Sequence, residues 1–172
     1  MAHTIDMINL DELDKRILQQ LQLDASVSNH ELASRVHASP PTCLRRVKRL
    51  KDEGIIAKQV AILAPEKLGS SLIAIVEITL DHQASENLLE FEQLVATEAA
   101  IQQCYRVSTG PDFVLIIQVT DMAAYHALAH RLFAKHANVR NVRSFFSVFR
   151  SKFETGIHID ALPAIAAQST DV

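Results

Sequence analysis

Ser39-Pro40-Pro41-Thr42-Cys43-Leu44-Arg45-Arg46-Val47-Lys48-Arg49-Leu50-Lys51 is the stretch on which the fold turns. Ser39 suits a helix N-cap, where its hydroxyl accepts a hydrogen bond from an orphan amide, and Pro40 suits the first helical position. Leu44, Val47 and Leu50 follow at three-residue steps, which predicts a buried stripe. Cys43 reads as a small buried residue of the same helix. On the other faces stand Arg45, Arg46, Lys48, Arg49 and Lys51, with no acidic residue before Asp52 and Glu53. Thr42, Arg45, Arg46 and Arg49 fall at offsets 0, 3, 4 and 7, so they are expected to share one outward ridge. Forked guanidinium donors on a rigid helix match guanine edges in the major groove, and cations match phosphates. A solvated basic face would have the same composition, so the flanking sequence must decide.

Upstream, Leu10, Leu13, Ile17, Leu18 and Leu21 repeat at helical spacing, with Asp11 or Asp14 favouring the helix start. Ser28-Asn29-His30-Glu31 has the form of a capping box ahead of Leu32, Ala33 and Val36. His37-Ala38 then turns into the Ser39 cap. Helix, short helix, tight turn and basic helix make a helix-turn-helix with a supporting first helix. Gly54 stands where a left-handed cap belongs. Ile55, Ile56, Val60 and Ile62 read as a β wing, with Lys58 available to a phosphate.

Ala64-Pro65-Glu66-Lys67-Leu68-Gly69 reads as a hinge. Beyond it the pattern predicts a strand over 72–80, a helix over 86–96, strands over 101–108 and 113–119, a helix from Asp121 to about 135, and a strand over 139–149. That order, βαββαβ, is ferredoxin-like, with both helices on one face of an antiparallel sheet. The expected fold class is therefore α+β: a winged helix-turn-helix over 8–62, a hinge over 63–70, a ferredoxin-like domain over 71–156 and a tail over 157–172. One helical layer hides only one sheet face, while Ile73, Ile75, Val114, Ile116, Phe145 and Phe146 call for more cover. A second copy packed on that face, a homodimer, is expected to supply it and to set two basic helices for a palindromic site.

Nearly half of the 172 residues are apolar and the formal net charge is −3, which excludes a disordered tail and a uniformly basic coat. The cations are concentrated instead: five of the seventeen Lys and Arg lie between positions 45 and 51. Cys43 and Cys104 stand far apart in unlike contexts, so no disulfide framework is expected. The first ten residues lack a signal-peptide pattern, and no apolar run is long enough for a bilayer, so a soluble cytoplasmic chain with no membrane partner is expected. His126 and His130 have a chelating spacing and His136 follows, yet nothing nearby completes a site; no metal and no cofactor are expected. No phosphate loop, nucleophile elbow or paired-carboxylate motif is present, so no enzyme is expected.

Ser28-Asn29-His30-Glu31-Leu32-Ala33-Ser34-Arg35-Val36, followed by Ser39-Pro40-Pro41-Thr42-Cys43-Leu44-Arg45-Arg46-Val47-Lys48-Arg49-Leu50, resembles the DNA-binding segment of the leucine-responsive regulatory protein/AsnC (Lrp/AsnC) family. Val76-Glu77-Ile78-Thr79-Leu80 and Asp121-Met122-Ala123-Ala124-Tyr125 look like its effector domain. The resemblance runs from about residue 10 to 152. It implies double-stranded DNA as partner, read through Ser39, Pro41, Thr42, Arg45, Arg46, Lys48 and Arg49. It also implies dimers assembling to octamers, and an amino-acid effector, such as leucine or another apolar amino acid, held between subunits. The effector residues it implies are Ser108, Thr109, Gly110 and Asp112 on the loop between the second and third strands, with Ser144 on the last strand. Thr109, Gly110 and Pro111 depart from the family pattern ahead of Asp112, the glycine being displaced by one. Read from the residues alone, Asp112 is either the partner of an ammonium group or a cap on backbone amides of the hairpin. The expected function is a sequence-specific, amino-acid-responsive transcription regulator. The alternatives are an architectural DNA-bending protein and a small-molecule-binding regulatory subunit.

Overall fold

The computed structural model describes residues 9–69 and 71–159. Residue 8, position 70 of the expected hinge and 160–172 of the expected tail lie outside the described residues. The chain forms two compact units: residues up to Ala61 together with those from Phe153, and residues Ile62–Lys152.

In the first unit α1 spans Glu12–Leu23, α2 spans Asn29–Arg35 and α3 spans Pro40–Asp52. Asp11 caps α1: its carboxylate accepts from the Asp14 amide, and the Asp14 carboxylate accepts from the Asp11 amide. Ser28 caps α2 by accepting from the Glu31 amide at 3.2 Å. The expected reciprocal half of that box gives way to an ion pair, because the Glu31 carboxylate takes Arg35 one turn on, at 2.6 Å. His37 makes the turn at φ 55°, a left-handed conformation that most side chains avoid, and the Ala38 amide donates to the Ala33 carbonyl. Ser39 caps α3 with Pro40 at its first position. Gly54, at φ 74°, ends it, and the Ile56 amide donates back to the Leu50 carbonyl.

The three helices bury Ile17, Leu18, Leu32, Ala33, Val36, Cys43 and Leu50. Leu44 departs from the expected stripe and is 60% exposed. Three-residue steps precess around a helix of 3.6 residues per turn, so Leu44 has rotated away by the time Leu50 is inward. Cys43, one heptad before Leu50, stays within about 20° of it. The C-terminal segment completes this core: Ile159 is only 4% exposed within it. Gln22 clasps the segment, its side-chain amide accepting from the Ile157 N–H at 2.6 Å and donating to the Ile157 carbonyl at 3.2 Å.

The expected β wing is not formed: residues 55–64 contain no strand, and Val60, Ile62 and Leu63 are exposed. A strand needs a neighbour for its amides and carbonyls, and no other extended segment pairs with this one among the described residues.

The second unit has β1 Leu72–Leu80, α4 Ser85–Ala96, β2 Ile101–Arg106, β3 Phe113–Val119, α5 Met122–Ala129 and β4 Val139–Phe146. A π-helical turn at His130–Ala134 extends α5, letting the adjacent Leu132 and Phe133 both reach the core. The sheet order is β2-β3-β1-β4, antiparallel throughout, as a ferredoxin-like fold requires. Ala74, Val76, Ile78 and Leu80 alternate inward with Phe113, Leu115 and Ile117, under Phe91, Val95, Tyr125, Leu128, Leu132 and Phe133. The opposite face carries Ile75 between Ile116 and Phe145, with Tyr105 beyond Val114. Phe146 stands on the helical side instead, its ring edge-on to Tyr125 at 5.0 Å. Phe145 remains 44% exposed beneath the Arg143 guanidinium.

Candidate nucleic-acid interface and ligand loop

The basic helix divides its cations into two sets. Arg45, Lys48 and Lys51 are exposed, and among the described residues none of them makes an ion pair. Ser39, Pro41 and Thr42 lie at the N-terminal end of the same helix, where the Ser39 hydroxyl donates to Thr42 Oγ1 at 2.8 Å and accepts from the Thr42 amide. The helix N-terminus, with its amides and positive dipole end, is suited to a phosphate.

Arg46 and Arg49 keep to one side of the helix with Arg45, but both reach toward α1 and are ion-paired there, so they are not free as the expected ridge required. Arg46 Nη1 lies 2.6 Å from Asp11 Oδ2 and 3.2 Å from Asp14 Oδ1. Arg49 Nη2 lies 2.5 Å from Asp14 Oδ2, and its Nε stands 3.7 Å from Glu53. The Asp14 side chain is fully buried, so it needs these partners. The cause is rotation: Arg46 lies three residues after buried Cys43 and four before buried Leu50, and Arg49 three after Arg46, so both sit on the flank of the core stripe. Asp11 carries a further sign of the contact. Its carboxyl is held below the usual range, first by the Asp14 amide and then by the Arg46 guanidinium, whose own pKa is raised chiefly by Asp11.

In the second unit the expected ligand loop joins β2 to β3. Ser108, Thr109 and Gly110 are exposed, with Gly110 at φ 89°. The Asp112 amide donates to the Ile78 carbonyl at 2.8 Å, and its carboxylate accepts from the Leu80 amide at 2.7 Å. The Asp112 carboxylate thus caps a backbone amide, but one at the end of β1 and not one of the hairpin as expected. Ser144 pairs across the sheet with Val76, two residues along β1 from where Phe113 begins β3 opposite Ile78. Its hydroxyl is hydrogen-bonded to the Tyr125 hydroxyl. Asp112 and Ser144 thus flank β1 on opposite sides, each with a partner of its own.

The same two units appear in comparisons with known proteins. Residues 10–57 match a winged helix-turn-helix DNA-binding model, and residues 73–157 match the Lrp/AsnC ligand binding domain. An HTH-type transcriptional regulator of Haemophilus influenzae is 37% identical over 88% of this chain and 90% of its own length. The chain belongs to the Lrp/AsnC family. The leucine-responsive regulatory protein of Escherichia coli K12 is 39% identical over 80% of this chain and 84% of its own. Among solved structures, an AsnC family transcriptional regulator from Agrobacterium tumefaciens superposes with a TM-score of 0.82 at 32% identity, covering 88% of this chain and 98% of that one. A Neisseria meningitidis transcriptional regulator, solved as a complex with L-Met, has the same TM-score at 30% identity and the same coverage. As an Lrp/AsnC protein, the chain is a ligand-responsive, DNA-binding transcriptional regulator.

The Lrp/AsnC resemblance did not single out Asp11 and Asp14 as partners of α3. In the sequence they mark only a helix start, and arginines more than thirty positions on carry no signal of pairing with them. His126 and His130 are exposed and His136 sits against Phe91. Among the described residues no three His, Cys, Asp or Glu side chains converge, and no helix is long and apolar enough to cross a membrane.

Proposed function

We propose that this regulator reads duplex DNA through Arg45, Lys48 and the N-terminal end of α3 at Ser39, Pro41 and Thr42. The observation that carries the reading is the division within α3: Arg45 and Lys48 are exposed and without counter-charges among the described residues, while Arg46 and Arg49 are held by carboxylates. Arg45, whose fork can bridge two acceptors of a guanine, serves as base reader, and Lys48 serves as phosphate contact. The holding of two of the five α3 cations by carboxylates favours a sequence reader over an architectural protein that coats DNA through phosphates. Footprinting on selected genomic fragments tests this, with a discrete protected site expected and uniform coverage counting against it. Arg45→Ala should cost about 1–3 kcal/mol on the selected site and less on random DNA. Lys48→Ala should weaken both alike and flatten the salt dependence by about one unit.

The protein acts as a homodimer joined through the open sheet face, where Ile75, Ile116 and Phe145 form a contiguous apolar strip. Dimers assemble further, to octamers, in the cytoplasm, and the chain works by binding and not by catalysis. Sedimentation of the wild type should give an even-numbered assembly, and Phe145→Glu should reduce its size; a wild-type monomer at micromolar concentration would refute the dimer.

The ligand is an apolar amino acid, leucine or one of similar size. Amides of the loop at Ser108, Thr109 and Gly110 receive its carboxylate, the Asp112 carboxylate receives its ammonium group, and Ser144 lines the approach from β4. The Neisseria relative's L-Met complex supports an amino acid as the class of ligand. Calorimetric titration with the apolar amino acids should give heat that Asp112→Ala abolishes; heat unchanged in that variant would move the site elsewhere.

A further inference from the structure

Asp14 is the one buried charged residue among those described, and DNA contact as read above gives it no task. Its two oxygens receive the Asp11 amide, Arg46 Nη1 and Arg49 Nη2, so one carboxylate engages two of the five cations of α3. Asp11 adds a second carboxylate to Arg46, and Glu53 adds one to Arg49. Arg45, Arg46 and Arg49 line one shallow concavity on the surface. Were all three free, that concavity would be an anion trap of charge +3. Asp11, Asp14 and Glu53 offset the charges of Arg46 and Arg49 and leave Arg45 as the one of the three without a carboxylate partner among the described residues, so the concavity draws phosphate far less than three free arginines would.

Electrostatic attraction to phosphate is blind to sequence, whereas base-edge contacts discriminate. A protein raises its selectivity as well by weakening the indiscriminate term as by strengthening the selective one. We propose that Asp14 is a positioning residue that sets DNA specificity: it withholds Arg46 and Arg49 from the phosphate backbone and ties α3 to α1 at the angle that leaves Arg45 outward. The inference rests on the α3 face proposed above as the DNA contact. Within it, Arg46 and Arg49 brace the reading head and do not touch DNA.

The salt dependence of binding separates this from a purely structural role, because the slope counts phosphate contacts and not stability. The full-length chain is titrated by fluorescence anisotropy against a random duplex of about thirty base pairs, between about 50 and 200 mM salt. Asp14→Asn removes the carboxylate that the two guanidinium groups share and, among the described residues, leaves Arg46 only Asp11 and Arg49 only Glu53; its slope should steepen by about one to two units, with tighter binding to random DNA and a lower ratio of selected-site to random affinity. The neutral triple variant D14N/R46Q/R49Q keeps hydrogen-bonding groups in place of the charges and should show the wild-type slope. A slope unchanged or shallower in Asp14→Asn would overturn the proposal. So would a triple variant about two units shallower than wild type, since the arginines would then be phosphate contacts. Should Asp14→Asn fail to fold, as judged by circular dichroism, the triple variant decides alone. Failure of the underlying contact reads differently: Arg45→Ala combined with Lys48→Ala would then keep the wild-type affinity and slope.

Discussion

At the scale of single residues, α3 shows how far a side chain's role depends on a few tens of degrees of rotation. Cys43 and Leu50 are fully buried, whereas Leu44, the larger hydrophobe beside Cys43, is 60% exposed. Ile17 of α1 is also fully buried. Ile17→Ala should therefore cost about 2–5 kcal/mol through lost transfer energy and a residual cavity. Leu44→Ala should stay within about 0.5 kcal/mol. Urea denaturation followed by circular dichroism reads both, and similar losses for the two would show the stripe misassigned. Asp11 supplies a pH-dependent contribution. Its folded pKa is lowered, so its stabilisation is present above the unfolded carboxylate value and is lost as pH falls through the folded one. The melting temperature should drop on acidification below about pH 4, and Asp11→Asn should make that drop shallower. Glu98 contributes in the same direction, held low first by the Arg131 guanidinium. An acid limb unchanged by Asp11→Asn would assign the loss to Glu98 and other carboxylates.

Among the elements, α3 owes its start to Ser39, and the start fixes everything the helix presents. The Ser39 hydroxyl serves both the Thr42 amide and the Thr42 hydroxyl, which orients the first turn as well as capping it. Ser39→Ala should lower stability by about 0.5–2 kcal/mol. Ser39→Asp should retain most of that stability, since aspartate caps as well. Equal losses in the two variants, read by thermal melts, would show that capping is not what Ser39 contributes. The helix-turn-helix, both its caps and Gly54 were legible because each is a local event: the residue that stops or starts the helix stands within four positions of the group it satisfies. The wing was not legible in the same way. Ile55, Ile56, Val60 and Ile62 have strand-like residues, but a strand exists only with a partner, and partner choice is not written in the segment itself. The sheet of the second unit fared better, since period-two burial marks β1 and β3 directly.

Taken whole, the molecule returns its C-terminal segment to the unit that begins the chain. Ile159 fills the helix-turn-helix core and Gln22 holds Ile157 by two backbone hydrogen bonds. The DNA-reading unit is thus made from both ends of the described chain, with residues 62–152 inserted between them. Ile159→Ala should cost about 2–5 kcal/mol of that unit's stability, as for any large aliphatic side chain removed from a core. Differential scanning calorimetry should show the loss in the transition that binding of DNA shifts, and a loss confined to the other transition would place the segment wrongly.

The one-dimensional pattern was enough for the helix order of the first unit, the βαββαβ order of the second, the capping residues and the family. Each of these depends on neighbours within a turn or on a period of two or 3.6 residues. Tertiary structure alone decided which arginines of α3 are ion-paired, what occupies Asp112 and Ser144, and where Ile157 and Ile159 pack. In those cases the deciding partner lies far off in sequence: Asp14 for Arg49, Leu80 for Asp112, Gln22 for Ile157. Charge and hydrogen-bonding capacity can be read from a residue's type, but whether they are already spent depends on what folding brings within 3 Å.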